Sequence, residues 1–299
     1  MIFRSACLPV CLSALVPLSG GCVNVGGADF GRFVQRDEKR FTVDGKPDVV
    51  LSTFDGSIEI RSWDRPDVLV IIEKRAASQS AAAAIEVLSA QEGNRVSVEV
   101  KMPAERVFGW GWLGGGSARL VVSVPASSDV RASSGDGSID LERVNGKITL
   151  RSGDGSIHAA SSSGTVSVST GDGSINLDRV DGVLEATTGD GSVKVTGTLT
   201  SVRARSGDGS IAVHAQPGSS VDADWDLASG DGSITLEIPD GFSAALDAHT
   251  GDGGINLDGV SVTSVTGAIS RNTVRGQLGS GGRPLHVRTG DGSITLRRF

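Results

Sequence analysis

The sequence predicts an all-β fold: a parallel β-solenoid of the β-helix or β-roll kind, with about 18 residues and two short strands per rung. Three observations predict it. Gly-Asp-Gly occurs eight times, centred on Asp136, Asp154, Asp172, Asp190, Asp208, Asp231, Asp252 and Asp291, and the first five aspartates are 18 residues apart. A fixed short period marks a stacked repeat. Around each aspartate the residues six and four before it, and three and five after it, are apolar at all 32 positions, in a chain that is 38% hydrophobic. Polar residues mostly fill the positions between, which is the two-residue period of a strand with one face inward.

The first element is a leader. Residues 1–21 carry one charge, Arg4, then an apolar stretch from Ala6 to Leu18 and small residues up to Cys22. The stretch is too short to span a bilayer as a helix and reads as a secretory signal. Small residues before a cysteine resemble a lipobox, although Leu18 stands four before Cys22 and Ser19 three before, displaced from the usual large aliphatic position. Cys7 and Cys11 fall inside the leader and no cysteine follows Cys22, so the mature chain has no disulfide to form. Cys22 is the expected lipid-attachment residue, and several acyl chains exceed the marginal affinity of one. An ordinary signal peptide cleaved nearby is the alternative.

Residues 22–40 read as a polar tether. Residues 41–125 form an irregular N-terminal region. Val49, Leu51, Ile58 and Ile60 surround Asp55 at the repeat's four offsets, a degenerate first rung, and Val68/Val70/Ile72, Val96/Val98/Val100 and Leu120/Val122/Val124 alternate as strands. Ala81, Ala84, Ile85 and Leu88 stand at helical spacing, which predicts a helix near 76–91 that caps the open end of the stack. Residues 126–299 are the repeat proper. Gly-Asp-Gly-Ser supplies residues that tolerate positive φ at one turn, and Asn145-Gly146 and Asp181-Gly182 mark a second about nine residues on. An antiparallel meander also fits these turns, but it leaves a long apolar face uncovered. A solenoid covers its own, and the preference of parallel crossovers makes the coil right-handed.

The segments Ile60-Arg61-Ser62-Trp63-Asp64-Arg65, Leu120–Pro125 running into Val130–Gly137, and Gly276–Phe299 with Thr289–Ile294 are similar to those of the bacterial DUF4097 family, β-strand repeat proteins labelled "putative adhesin". The resemblance covers about residues 40–299. It implies an envelope-exposed β-helical module and brings no catalytic residues.

Chemistry-bearing residues are few. The formal net charge is −7, and removing the leader with Arg4 makes the chain one unit more negative. No basic run interleaved with aromatics occurs, so nucleic acid is not an expected partner. His158, His214, His249 and His286 sit at four different offsets and read as solvated strand residues, which gives neither a zinc site nor a catalytic triad. The Gly-Asp-Gly runs lack the Gly-Lys-Ser/Thr of a phosphate loop.

Stacking would place the aspartates in one column, serving turn geometry by capping backbone N–H groups. Arg151, Arg205, Arg288 and His249, each three residues earlier, offer partial compensation. Asp154, Asp172, Asp190 and Asp208 are weak Ca²⁺ candidates on this column, although the half-repeat places Asp unlike calcium-binding nonapeptides. Trp110 and Trp112, in a glycine-flanked loop, are either a tucked cap or an exposed ligand-contact tip.

The expected function is a non-catalytic, adhesin-like binding or structural module. It needs no cofactor. It is held at a membrane of the bacterial envelope through its acylated N-terminus, faces the periplasm or the cell surface, and has an envelope protein or glycan as partner. Two alternatives remain. One is a polysaccharide-active β-helix enzyme, with a cleft built by residues 259–284. The other is a calcium-stabilised surface repeat protein.

Overall fold

The computed structural model describes residues 33–101, 116–265 and 270–299. The repeat forms two facing sheets, each built by stacking one strand per rung. In the regular part the first sheet takes β8 (Asp129–Ser134), β10 (Asn145–Ser152), the C-terminal half of β11 (Ile157–Thr170), that of β12 (Ile175–Thr188) and β14 (Leu199–Ser206). The second takes β9 (Ile139–Glu142), the N-terminal halves of β11 and β12, β13 (Val193–Gly197) and β15 (Ile211–Ala215). All these pairings are parallel, and partners such as Ile148↔Val166 and Ile157↔Ile175 lie one repeat apart. The meander is therefore excluded. β16 (Trp225–Ser229) and β17 (Ile234–Ile238) continue the two sheets.

The apolar offsets fill the space between the sheets. Of the repeat's inward positions only Ile255 and Leu257 are not fully buried. A row of Val144, Ser162 and Val180 closes the far corner, where the chain bends through Arg143, Ser161 and Arg179 at φ 57°, 53° and 52°. Positive φ is thus concentrated at this corner and at the neighbouring glycines Gly146, Gly164 and Gly182.

The Gly-Asp-Gly corner works differently from the expectation. None of the glycines of the eight Gly-Asp-Gly runs adopts positive φ. They are glycines because the rungs touch there. A Cβ on Gly173 would run into the carbonyl of Gly155, and one on Gly191 into that of Gly173. The backbone bonds follow the same column, for example Gly189 N–H to Gly171 O at 2.6 Å and Gly207 N–H to Gly189 O at 2.6 Å.

The N-terminal region extends both sheets outward. β2 (Asp48–Thr53) and β3 (Ile58–Trp63) lie in register on β8 and β9, as the Asp55 offsets predict. Beyond them come β6 (Arg95–Lys101) and β7 (Ser117–Pro125), also parallel. Antiparallel strands then finish each sheet: β5 (Glu86–Glu92) on β6, and β4 (Asp67–Ala76) followed by β1 (Phe33–Thr42) on β7.

Two expectations are corrected here. Residues 33–40 of the tether are strand β1, paired with β4 along its whole length. The helix predicted near 76–91 is only α1 (Gln79–Ala84), capped by Ser78 and packed on β1 and β4. Its C-terminal half is β5, with Val87 and Ser89 half-buried on alternate positions, and hairpin pairing with β6 outweighs local helix propensity. Strands close the described N-terminal end, and the outermost, β1, carries Arg36, Asp37, Glu38, Lys39 and Arg40, charges that discourage edge pairing.

The C-terminal end departs from sequence order. β18 (Ala244–Thr250) and β19 (Ile255–Asp258) do not stack on β16 and β17. The last strands of the chain, β22 (Pro284–Thr289) and β23 (Ile294–Arg298), insert between them, with parallel pairing on both sides. The described part of 259–284 forms β20 (Val262–Thr263) and β21 (Thr273–Leu278), antiparallel strands that continue the first sheet beyond β18.

Candidate functional site

The edge formed by the Gly-Asp-Gly corners is the most regular surface of the molecule. It is built by a hydroxyl ladder two residues before each aspartate: Ser134, Ser152, Thr170, Thr188, Ser206, Ser229, Thr250 and Thr289, all buried. Ser152 Oγ donates to Gly137 O at 2.9 Å and accepts from Gly155 N–H at 3.1 Å. Thr170, Thr188 and Ser206 donate to Gly155, Gly173 and Gly191 in turn, each at 2.9 Å. These hydroxyls, and not the aspartates, cap the corner. An unbroken column of eight Ser or Thr was present in the sequence and was the signal for this role.

Asp154, Asp172, Asp190 and Asp208 are all exposed, and the parallel register brings them to one edge about 4.8 Å apart. Among the described residues they take part in no side-chain hydrogen bond or ion pair. Among the described residues no group of three or more His, Cys, Asp or Glu side chains is placed to hold a metal ion. The expected compensation is also redirected: Arg205 pairs with Asp226, Arg288 with Asp247, and His249 contacts Thr273. Cys22, Trp110 and Trp112 lie outside the described residues.

The outward sheet faces carry charge in rows set by the register. At the N-terminal end of the second sheet, Glu59, Asp140 and His158 are neighbours on successive strands. Arg119 Nε binds Glu59 at 3.1 Å. Burial pushes the Asp140 carboxyl above its ordinary value; His158 opposes this, while Glu59 and Glu142 add to it. At the other end His214 Nδ1 lies 2.6 Å from Glu237, with the Phe299 ring stacked on the imidazole at 4.3 Å. On the first sheet Asp247 holds Arg275 at 2.9 Å and Arg288 at 3.3 Å, with His286 at 3.5 Å. Burial alone would raise the Asp247 carboxyl, but the two arginines outweigh it and hold it below the ordinary range. His214 and His286 are therefore half-buried members of these rows, a placement their isolated offsets could not reveal.

Trp63 sits at a corner with its indole N–H on Asp67 O at 2.8 Å and the guanidiniums of Arg40 and Arg65 over its ring, at 5.8 and 5.2 Å. No helix among the described residues is long and apolar enough to cross a membrane.

This chain is similar to several crystal structures. A "putative lipid binding protein" from Parabacteroides distasonis shares 12% identity over 87% of this chain and 96% of its own, with a TM-score of 0.43. A "putative adhesin" from Parabacteroides merdae shares 12% over 87% and 95%, with a TM-score of 0.42. A "putative adhesin" from Bacteroides fragilis shares 13% over 89% and 97%, with a TM-score of 0.37. No curated protein matches. The family match runs from the first rung strand, β2, into the last, β23: over residues 48–297 the chain belongs to the Toastrack DUF4097 family.

Proposed function

We propose that the protein is a non-catalytic, adhesin-like binding or structural module of the bacterial envelope. In this reading the leader 1–21 is removed, Cys22 is acylated, and the chain from Cys22 to the first strand at Phe33 tethers a rigid rod to the membrane. The coil is taken as right-handed, as parallel crossovers nearly always are.

The observation that carries the reading is how each rung distributes its residues. Apolar positions are spent inside, and outward positions present charged and hydroxyl side chains in rows at strand spacing along both sheets. A rigid, repetitive face supports many weak, simultaneous contacts with a polar surface, and it holds its geometry without a ligand.

The anchor is tested by Cys22→Ser. Expected are a shift from the membrane to the soluble fraction and loss of a lipid adduct seen by mass spectrometry on the parent protein. Membrane fractionation of the variant, with no lipid on the parent, would remove the lipoprotein reading. The binding role is tested separately by capture from intact envelopes with the anchorless protein.

A further inference from the structure

The inserted C-terminal rung differs in charge from the two rungs that hold it. On the first sheet the row reads Asp226, His286, Asp247, and on the second Glu237, Arg297, Asp258. Arg297 reaches both acids, Glu237 at 3.4 Å and Asp258 at 3.2 Å. Arg288 and His286 both reach Asp247. Stacked in sequence order, Asp226 would face Asp247, and Glu237 would face Asp258. Like charges directly opposite on paired strands are unfavourable. The apolar offsets cannot choose between the two orders, because all three rungs carry apolar residues at the same four offsets. The charges can: a basic rung fits between two acidic ones.

This rung is also separable. It is joined to β21 by residues 279–283, where Gly279, Gly281 and Gly282 adopt φ of 57°, 79° and 137°. The connection carries the chain past the start of β18, since β21 and β22 flank that strand on opposite sides. An element with a glycine hinge and a slot keyed to its own charge has what strand exchange between chains requires.

We propose that residues 284–299 are an exchangeable strand pair, and that the slot between the β16–β17 and β18–β19 rungs takes this pair from a second copy of the chain. The partner's Arg297 then sits between Glu237 and Asp258, and the exchange is reciprocal, giving a closed dimer.

Deleting residues 280–282 leaves two hinge residues. Three Cα steps reach about 10–11 Å, barely more than the straight distance of about 9.6 Å across two strand spacings, with almost nothing left to pass around β18. With the native cysteines at 7, 11 and 22 replaced by serine, Thr235→Cys and Thr295→Cys mark the slot, since the two residues are register partners. The hinge-deleted protein is expected to double in mass by light scattering and to form the 235–295 disulfide between chains. A folded monomer with that disulfide inside one chain would overturn the proposal. The second measurement keeps the full hinge, so it does not depend on the deletion folding. Two differently tagged copies carrying the cysteine pair are mixed, unfolded and refolded over a range of concentrations. Interchain disulfide and co-capture that rise with concentration support exchange; intrachain disulfide alone at every concentration refutes it.

Discussion

Replacing Gly173 by alanine should cost far more than replacing its neighbour Asp172, although both lie in the same exposed-looking turn. A Cβ on Gly173 would stand 2.5 Å from the Gly155 carbonyl carbon and 2.9 Å from Ser156 N, against about 3.5–4 Å for favourable contact. The two rungs must part by roughly 1 Å to admit it. Three bonds tie them at this corner: Gly171 N–H to Gly153 O, Ile157 N–H to Ser174 O at 3.0 Å, and Thr170 Oγ1 to Gly155 O at 2.9 Å. Overpacking costs about 1–3 kcal/mol, and each loosened bond about 0.5–1.5. A loss of about 2.5–7.5 kcal/mol is therefore expected. At about 2–4 °C per kcal/mol for a domain of this size, Tm should fall by roughly 5–30 °C. Asp172→Ala removes an exposed carboxylate that makes no hydrogen bond among the described residues, and should stay within about 0.5 kcal/mol of the parent. Thermal unfolding followed by far-UV circular dichroism on both variants decides it. Equal Tm values would show that the glycine column does not set rung contact, and would refute the stacking argument at this corner.

Three further outcomes follow from the same geometry. Ile175→Asp should unfold the protein or lower Tm far more than Asn176→Asp, because the first buries an unpaired carboxylate and the second adds an exposed one; matching Tm values would contradict the inward assignment of β12. Replacing Asp172 and Asp190 together with Asn should leave Tm unchanged or raise it at low salt, since two neighbouring charges go and no described hydrogen bond is lost; a Tm gain of the parent in millimolar Ca²⁺, absent in matched sodium chloride and abolished by the Asn pair, would contradict this. Asp247 is held below its ordinary pKa, so its stabilising contribution is present above the unfolded-state value of about 4 and is lost as pH falls through the lowered folded value. Asp247→Asn should flatten the acid side of the Tm–pH curve, and an unchanged acid limb would refute the role given to Arg275 and Arg288.

Much of this fold was legible because burial leaves a periodic trace. The pairs around each aspartate and the degenerate rung at Asp55 identify the strands and their inward faces from residue type alone. The corner was misread because glycine serves two ends, positive φ and close approach, and sequence does not separate them. The hydroxyl ladder was written at Ser152, Thr170, Thr188 and their equivalents, but small polar residues beside glycine look like ordinary turn residues. The segment 86–92 was misread as helix because the alanine-rich run before it masks the two-residue Gly93-Asn94 turn that joins it to β6 as a hairpin. Rung order was illegible from apolar spacing. It depends on which charges face each other across strands far apart in sequence, as Arg297 does with Glu237 and Asp258. The candidate site was least legible, since its rows of charge exist only once the register is known.

Disulfide mapping tests most directly whether the parallel rungs stack in an order that departs from the order of the chain. Thr235, Thr295 and Asn256 occupy the same outward row, with Thr295 between the other two. In cysteine-free protein, the pairs 235–295 and 295–256 should each form a disulfide rapidly under mild oxidation, within one chain or between exchanged chains, and the pair 235–256, two rungs apart, should not. Rapid closure of 235–256 with slow closure of 235–295 would place the rungs in sequence order and contradict the account.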